Sequence, residues 1–227
     1  MPRSPRITTG GIVYHVLNRA NARVRIFETP QDYAAFEQVL DEALTRVPMR
    51  LLAYCLMPNH WHLVLWPQEA GTLSTFMRWL TLTHTQRWHT AHGTTGAGHL
   101  YQGRFKSFPV QTDLHVLTVC RYVERNALRA GLVARAEVWR WSSLWHRHHA
   151  EQGHENTLCS EWPVARPHNW VAWVNSAESA AELEALRRSV IRGSPYGSER
   201  WASQTATQLG LASTLRSRGR PRKGNPI

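Results

Sequence analysis

Lysine is almost missing from this chain: Lys106 and Lys223 are the only two in 227 residues, and arginine carries the remaining basic charge. Acids are scarce as well, 16 against 27 basic side chains. Cysteine is limited to Cys55, Cys120 and Cys159, an odd number at wide spacing that makes neither a disulfide framework nor a zinc-knuckle pattern. They read as buried, reduced thiols of a cytoplasmic protein. No apolar run approaches the ~20 residues that cross a bilayer. The opening Met1-Pro2-Arg3-Ser4-Pro5-Arg6 leads into no apolar signal region. The apolar-faced cationic helix of a membrane-surface protein is also lacking. What remains is a net charge of +11 and a pI near 10.5. Such an excess asks for a polyanionic partner, and nucleic acid fits it better than a membrane does. Arginine's planar fork suits phosphates and guanine edges. Eleven tryptophans offer flat surfaces, chiefly for the core and secondarily for base stacking.

Hydrophobic periodicity orders the chain. Ile12 to Arg19 reads as a strand entered through Gly10-Gly11. A helix follows from Pro30, capped by Thr29, with Tyr33, Phe36, Val39, Leu40, Ala43, Leu44 and Val47 on one face and Pro48 ending it. Leu51 to Met57 and His60 to Trp66 read as strands around a Pro58-Asn59 turn, and Leu73 to His89 as a second helix. A fourth strand spans Arg104 to Gln111, with Arg104, Lys106 and Phe108 on one side and Pro109 arguing for an edge position. Strand, helix, strand, strand, helix, strand is the α+β, ferredoxin-like split βαβ order, in which the first and third strands are central in an antiparallel sheet. A third helix starts at the cap Asp113 and runs to about Asn126 or Leu128. This gives a compact unit over 1–145. Residues 146–227 form an extension with a loop over His146–Glu161, a helix over Glu178–Arg192 and a basic end. From Arg187 onward nine basic residues face one acid, +8 of the +11.

Two patterns carry chemistry. In Met57-Pro58-Asn59-His60-Trp61-His62-Leu63 a strand's period of two puts both imidazoles on one face, close enough to grip a divalent ion. Taken alone, His-x-His reads more readily as polar residues on a half-solvated sheet. Tyr122 and Asn126 are four apart and share a helix face, a spacing that ordinary amphipathic helices also show. Arg218-Gly219-Arg220-Pro221-Arg222-Lys223 has the core of an AT-hook, and is equally a plain basic tail that binds phosphates without sequence preference.

Together with Tyr101-Gln102-Gly103-Arg104-Phe105-Lys106-Ser107 and Arg121-Tyr122-Val123-Glu124-Arg125-Asn126-Ala127-Leu128, the histidine motif resembles the REP-associated tyrosine transposases. These are single-tyrosine members of the HUH endonucleases, named for His-hydrophobe-His. Residues 10–145 carry the resemblance. It implies selective cutting and joining of single-stranded DNA at palindromic repeat hairpins, through a 5′-phosphotyrosine. His60, His62 and Asn126 match the ligands of a divalent Mg²⁺ or Mn²⁺ ion, and Tyr122 matches the nucleophile. Relatives often have Asn-Pro where Asn126-Ala127 stands here. Arg19, Arg104 and Lys106, then Arg121, Arg125 and Arg129, are candidate DNA contacts or solvated charges in equal measure. Arg218, Arg220 and Arg222 would clamp the hairpin stem. Relatives include monomers and dimers, so oligomeric state stays open, and the expected place is the nucleoid. The competing readings are a hairpin binder that does not cut, and a hydrolase using water at the two histidines.

Overall fold

The computed structural model describes residues 8–150 and 158–216. Strand β1 (Val13–Arg19) leads to helix α1 (Pro30–Arg46), where Thr29 Oγ1 accepts the Asp32 N–H and the Asp32 carboxylate accepts the Thr29 N–H at 2.8 Å. Such a reciprocal cap contributes about 1 kcal/mol. The hairpin β2 (Arg50–Met57) and β3 (His60–Trp66), helix α2 (Thr72–Ala91) and strand β4 (Lys106–Val110) complete one sheet of order β2-β3-β1-β4. Every pairing is antiparallel, so the ferredoxin-like expectation holds and the histidine strand is central. Arg104 lies in the loop before β4 rather than in the strand, which begins at Lys106. Pro109 is on the outer strand as expected, and its carbonyl accepts the Tyr196 N–H at 2.9 Å, so the extension covers that edge.

The period of two sends Tyr14, Val16, Tyr54, Leu56, Trp61, Leu63 and Leu65 into one core under α1 and α2. The opposite parity, Val13, Cys55, Met57, Val64 and Phe108, faces a second core. That core is closed by α3 (Leu114–Glu124), capped by Asp113, and by the short α4 (Asn126–Arg129). Arg125 between them keeps helical angles, and its N–H bonds the Arg121 carbonyl at 2.9 Å, so the helical path runs one residue past Leu128.

The extension departs from expectation. A loop over His146–Glu161 is replaced at its start by α5 (Ser143–Ala150), and α6 (Trp170–Asn175) and α8 (Glu199–Gln208) are additional, while the expected helix over Glu178–Arg192 stands as α7 (Ala180–Arg192). Trp162, Trp170, Val174 and Leu186 join the same core as α3, so apolar packing runs through the boundary set at residue 145. The fully buried Glu124 ties these parts together. It pairs with Arg147 and accepts from Ser143 Oγ and, at 2.7 Å, from Trp170 Nε1.

Candidate active site

Strand register assembles the site before any side chain is considered. Arg19 of β1 is paired with His60, Leu17 with His62 and Lys106, and His15 with Phe108. Directly paired residues share a face. His60, His62, His15, Arg19, Lys106 and Phe108 therefore all project toward α3. His60 sits half-buried beside the Pro58-Asn59 turn, and its Nδ1 meets Asn59 Oδ1 at 2.6 Å. His62 is buried, with Nδ1 at 2.9 Å from His15 Nε2, and the His60 and His62 ring centroids are 5.0 Å apart. Both rings thus use Nδ1 inside the protein, which leaves Nε2 as the nitrogen for a ligand.

Burial drives the basicity of all three rings down. His60 falls to about 4 and His15 to about 3, and His62 lies well below the usual range. Desolvation is the largest cause in each case. For His60 the Arg19 and Arg129 charges add to it, and for His62 its two neighbouring imidazoles do. At pH 7 the rings are neutral, the state that can donate a lone pair to a cation.

Tyr122 comes down from α3 onto this cluster. Its ring stands edge-on to His62 at 6.1 Å and to His15 at 6.2 Å. Burial raises the phenol above its ordinary value, opposed chiefly by Arg129. The Arg129 guanidinium lies 4.1 Å over the Tyr122 ring, donates to Asn126 Oδ1 and pairs with Glu178 at 3.1 Å. Asn126 Nδ2 donates to the Val123 carbonyl at 3.2 Å, which turns the amide oxygen toward Arg129.

The basic residues separate into two groups. Arg121 is buried and bonds the Trp173 and Ser176 carbonyls and Glu182; Arg125 bonds the Val174 and Asn175 carbonyls and Glu178. These two, expected as DNA contacts, instead hold α3 to the extension, and Arg129 shares Glu178 with them. Arg19 and Lys106 sit on the histidine face, with Arg19 Nε buried and unpartnered. Arg104 is exposed on a groove shared with Asn18, Arg78, His99 and Gln102. Arg218, Arg220 and Arg222 lie outside the described residues. His15 is the site residue that sequence reasoning passed over. Its signal was present, because β1 neighbours β3 and His15 has the parity of Arg19.

Among the described residues no group of three His, Cys, Asp or Glu side chains forms a metal cluster. The groups on this face that could offer a lone pair to a cation are His60 Nε2 and His62 Nε2, and Asn126 is the third ligand that the sequence resemblance implies. The Asn126 amide oxygen already accepts from the Arg129 guanidinium, which a cation would have to displace.

Paired imidazoles on the inner strand of a ferredoxin-like sheet, with a phenol brought to them by the covering helix, define the class of the His-hydrophobe-His tyrosine proteins. The family model described as "Transposase IS200 like" matches residues 8–126. The chain belongs to that family. Among solved structures, a REP-associated tyrosine transposase bound to a REP hairpin is similar in fold, with a TM-score of 0.53 at 17% identity over 73% of this chain and 95% of that one. A protein of Deinococcus radiodurans described as a transposase aligns at 15% identity and a TM-score of 0.37, over 68% of this chain and 100% of that one. No curated protein matches the sequence.

Proposed function

We propose that this transposase-family protein cuts and rejoins single-stranded DNA beside palindromic hairpins, with Tyr122 as nucleophile. The supporting observation is the Tyr122 ring held against the neutral His62 and His15 rings within one chain. The Tyr122 oxygen attacks the scissile phosphorus, the bond to the 3′ oxygen breaks, and that oxygen leaves as a hydroxyl after taking a proton. The 5′-phosphotyrosine keeps the energy of the broken ester, so attack by a 3′-hydroxyl restores a phosphodiester and frees the phenol. His60 and His62 through Nε2, with Asn126 through Oδ1, would hold Mg²⁺ or Mn²⁺. When bound, the ion neutralises phosphate charge as a Lewis acid. Arg19 and Lys106 approach the phosphates from the sheet side, Arg104 guides the strand along its groove, and Arg218, Arg220 and Arg222 hold the duplex stem.

A denaturing gel with hairpin oligonucleotides tests this. A protein–DNA adduct is expected with Mn²⁺, lost with EDTA and lost in Tyr122→Phe while hairpin retention in a native gel persists. Cutting by Tyr122→Phe overturns the nucleophile assignment. A second reading, a hairpin binder that does not cut, is favoured by one observation: Arg129 occupies the Asn126 oxygen and the face of the Tyr122 ring. Hairpin binding without adduct under every metal condition is its signature. Gel filtration with light scattering, with and without hairpin, decides between monomer and homodimer.

A further inference from the structure

The two histidines are held by different kinds of partner, and the difference exposes a residue with no assigned part. At His60 the tautomer is forced. Asn59 Nδ2 donates to the Arg23 carbonyl at 3.3 Å, so the amide oxygen is the atom facing His60 Nδ1 at 2.6 Å. An amide oxygen only accepts, so the proton sits on Nδ1 and Nε2 carries a lone pair. At His62 the partner is another imidazole, and a ring nitrogen can play either part.

We propose that His15 is the positioning residue for His62, accepting the His62 Nδ1–H at its own Nε2 and so keeping His62 Nε2 bare for a cation. The assignment rests on the reading of His60 and His62 as a ligand pair. The 2.9 Å contact between His15 Nε2 and His62 Nδ1 joins two fully or nearly fully buried rings, and between two neutral imidazoles it contains one proton. If His15 donated, His62 would carry its proton on Nε2 and the pair would lose its second lone pair. With His62 donating, the proton of His15 moves to Nδ1, the buried nitrogen that has no partner. An orphaned buried N–H is costly, and in this tautomer the cost falls on His15, away from the His62 nitrogen that a cation would take. His15 is fixed in place to do this. Its ring packs on Phe108 with centroids 4.8 Å apart and meets the edge of Tyr122. Register explains why the contact is so short: His15 is paired with Val64, which puts His62 on the adjacent diagonal of the same face.

The test uses the full chain labelled with ¹⁵N-histidine. In the metal-free protein, long-range proton–nitrogen correlation spectra are expected to show His62 protonated at Nδ1 and bare at Nε2; the reverse tautomer overturns the proposal. Mn²⁺ titration by calorimetry gives the second measurement. His15→Phe removes the acceptor and is expected to weaken Mn²⁺ binding by about 10–100-fold. His15→Gln, whose amide oxygen can accept the same hydrogen bond, is expected to restore most of the affinity. Equal affinity in wild type and His15→Phe overturns the proposal. The wild-type spectrum decides the matter should His15→Phe fail to fold. Absence of Mn²⁺ uptake by wild type, with His62 in the stated tautomer, counts against the metal site alone and for the hydrogen-bond assignment.

Discussion

Arg129 holds three groups that the chemistry needs or borders: the Asn126 oxygen, the Tyr122 ring face and the Glu178 carboxylate. A guanidinium at the Asn126 oxygen competes with any divalent ion for that oxygen, and its charge opposes a second cation nearby. Arg129→Gln is therefore expected to tighten Mn²⁺ binding several-fold in calorimetry while lowering thermal stability. Glu178, nearly inaccessible, would keep Arg125 as its ion-pair partner among the described residues, a change of about 1–3 kcal/mol. At this scale the sequence was informative about identity and silent about engagement. Spacing put His60 with His62 on one strand face and Tyr122 with Asn126 on one helix face, while their proposed roles came from the family resemblance. That Arg121 and Arg125 turn inward was not legible, because their partners are backbone carbonyls of Trp173, Val174 and Asn175, some fifty residues away, and carbonyls leave no trace in composition.

Among elements, α3 is the one whose placement decides whether the phenol meets the imidazoles. Its C-terminal end is anchored by Glu124, which has no solvent exposure and satisfies Arg147, Ser143 and Trp170 together. Glu124→Ala leaves Arg147 buried without its counter-charge, and breaking such a pair costs about 3–5 kcal/mol. Urea denaturation should show that loss, and the adduct yield should fall with it because Tyr122 sits two residues before the anchor. The strands were readable to within a residue or two, since apolar runs bounded by Gly10-Gly11, Pro48 and the Pro58-Asn59 turn mark their ends, although the register shift between Leu51 and Ala53 left no such mark. The helices of the extension were harder. α8 carries a low apolar content, with Ala202, Thr205 and Ala206 as its buried residues, so no stripe of large side chains marked it in the sequence.

For the whole molecule, buried neutral histidines set the response to acid. His84 is inaccessible under α2, its Nδ1 bonded at 2.8 Å by the Tyr101 hydroxyl that itself accepts from Trp61 Nε1, and burial lowers its pKa to about 3. The folded value lies below the unfolded value of 6.5, so below pH 6.5 the unfolded chain binds the proton that the folded chain refuses. Stability then falls as pH falls, by about 1.4 kcal/mol per pH unit for each such group until the folded pKa is reached. His15 and His60 act in the same direction. Denaturation series at pH 7, 6 and 5 should show a slope steeper than one proton, and a slope of zero would contradict the buried neutral state. Charge at this scale also predicts a hairpin affinity that drops steeply with salt. Replacing Arg218, Arg220 and Arg222 together should flatten the log–log slope by roughly 2–3, since each phosphate that an arginine neutralises contributes about 0.7–0.9.

The phenol and the imidazole pair belong to one polypeptide, 6.1 Å apart between the Tyr122 and His62 rings. On the proposed chemistry a lone copy is self-sufficient for a single incision, and with one tyrosine there it can keep custody of a single strand terminus. Liberating a segment with two boundaries then takes two copies side by side or one copy visiting twice, and product yield should rise with the second or the first power of protein concentration accordingly.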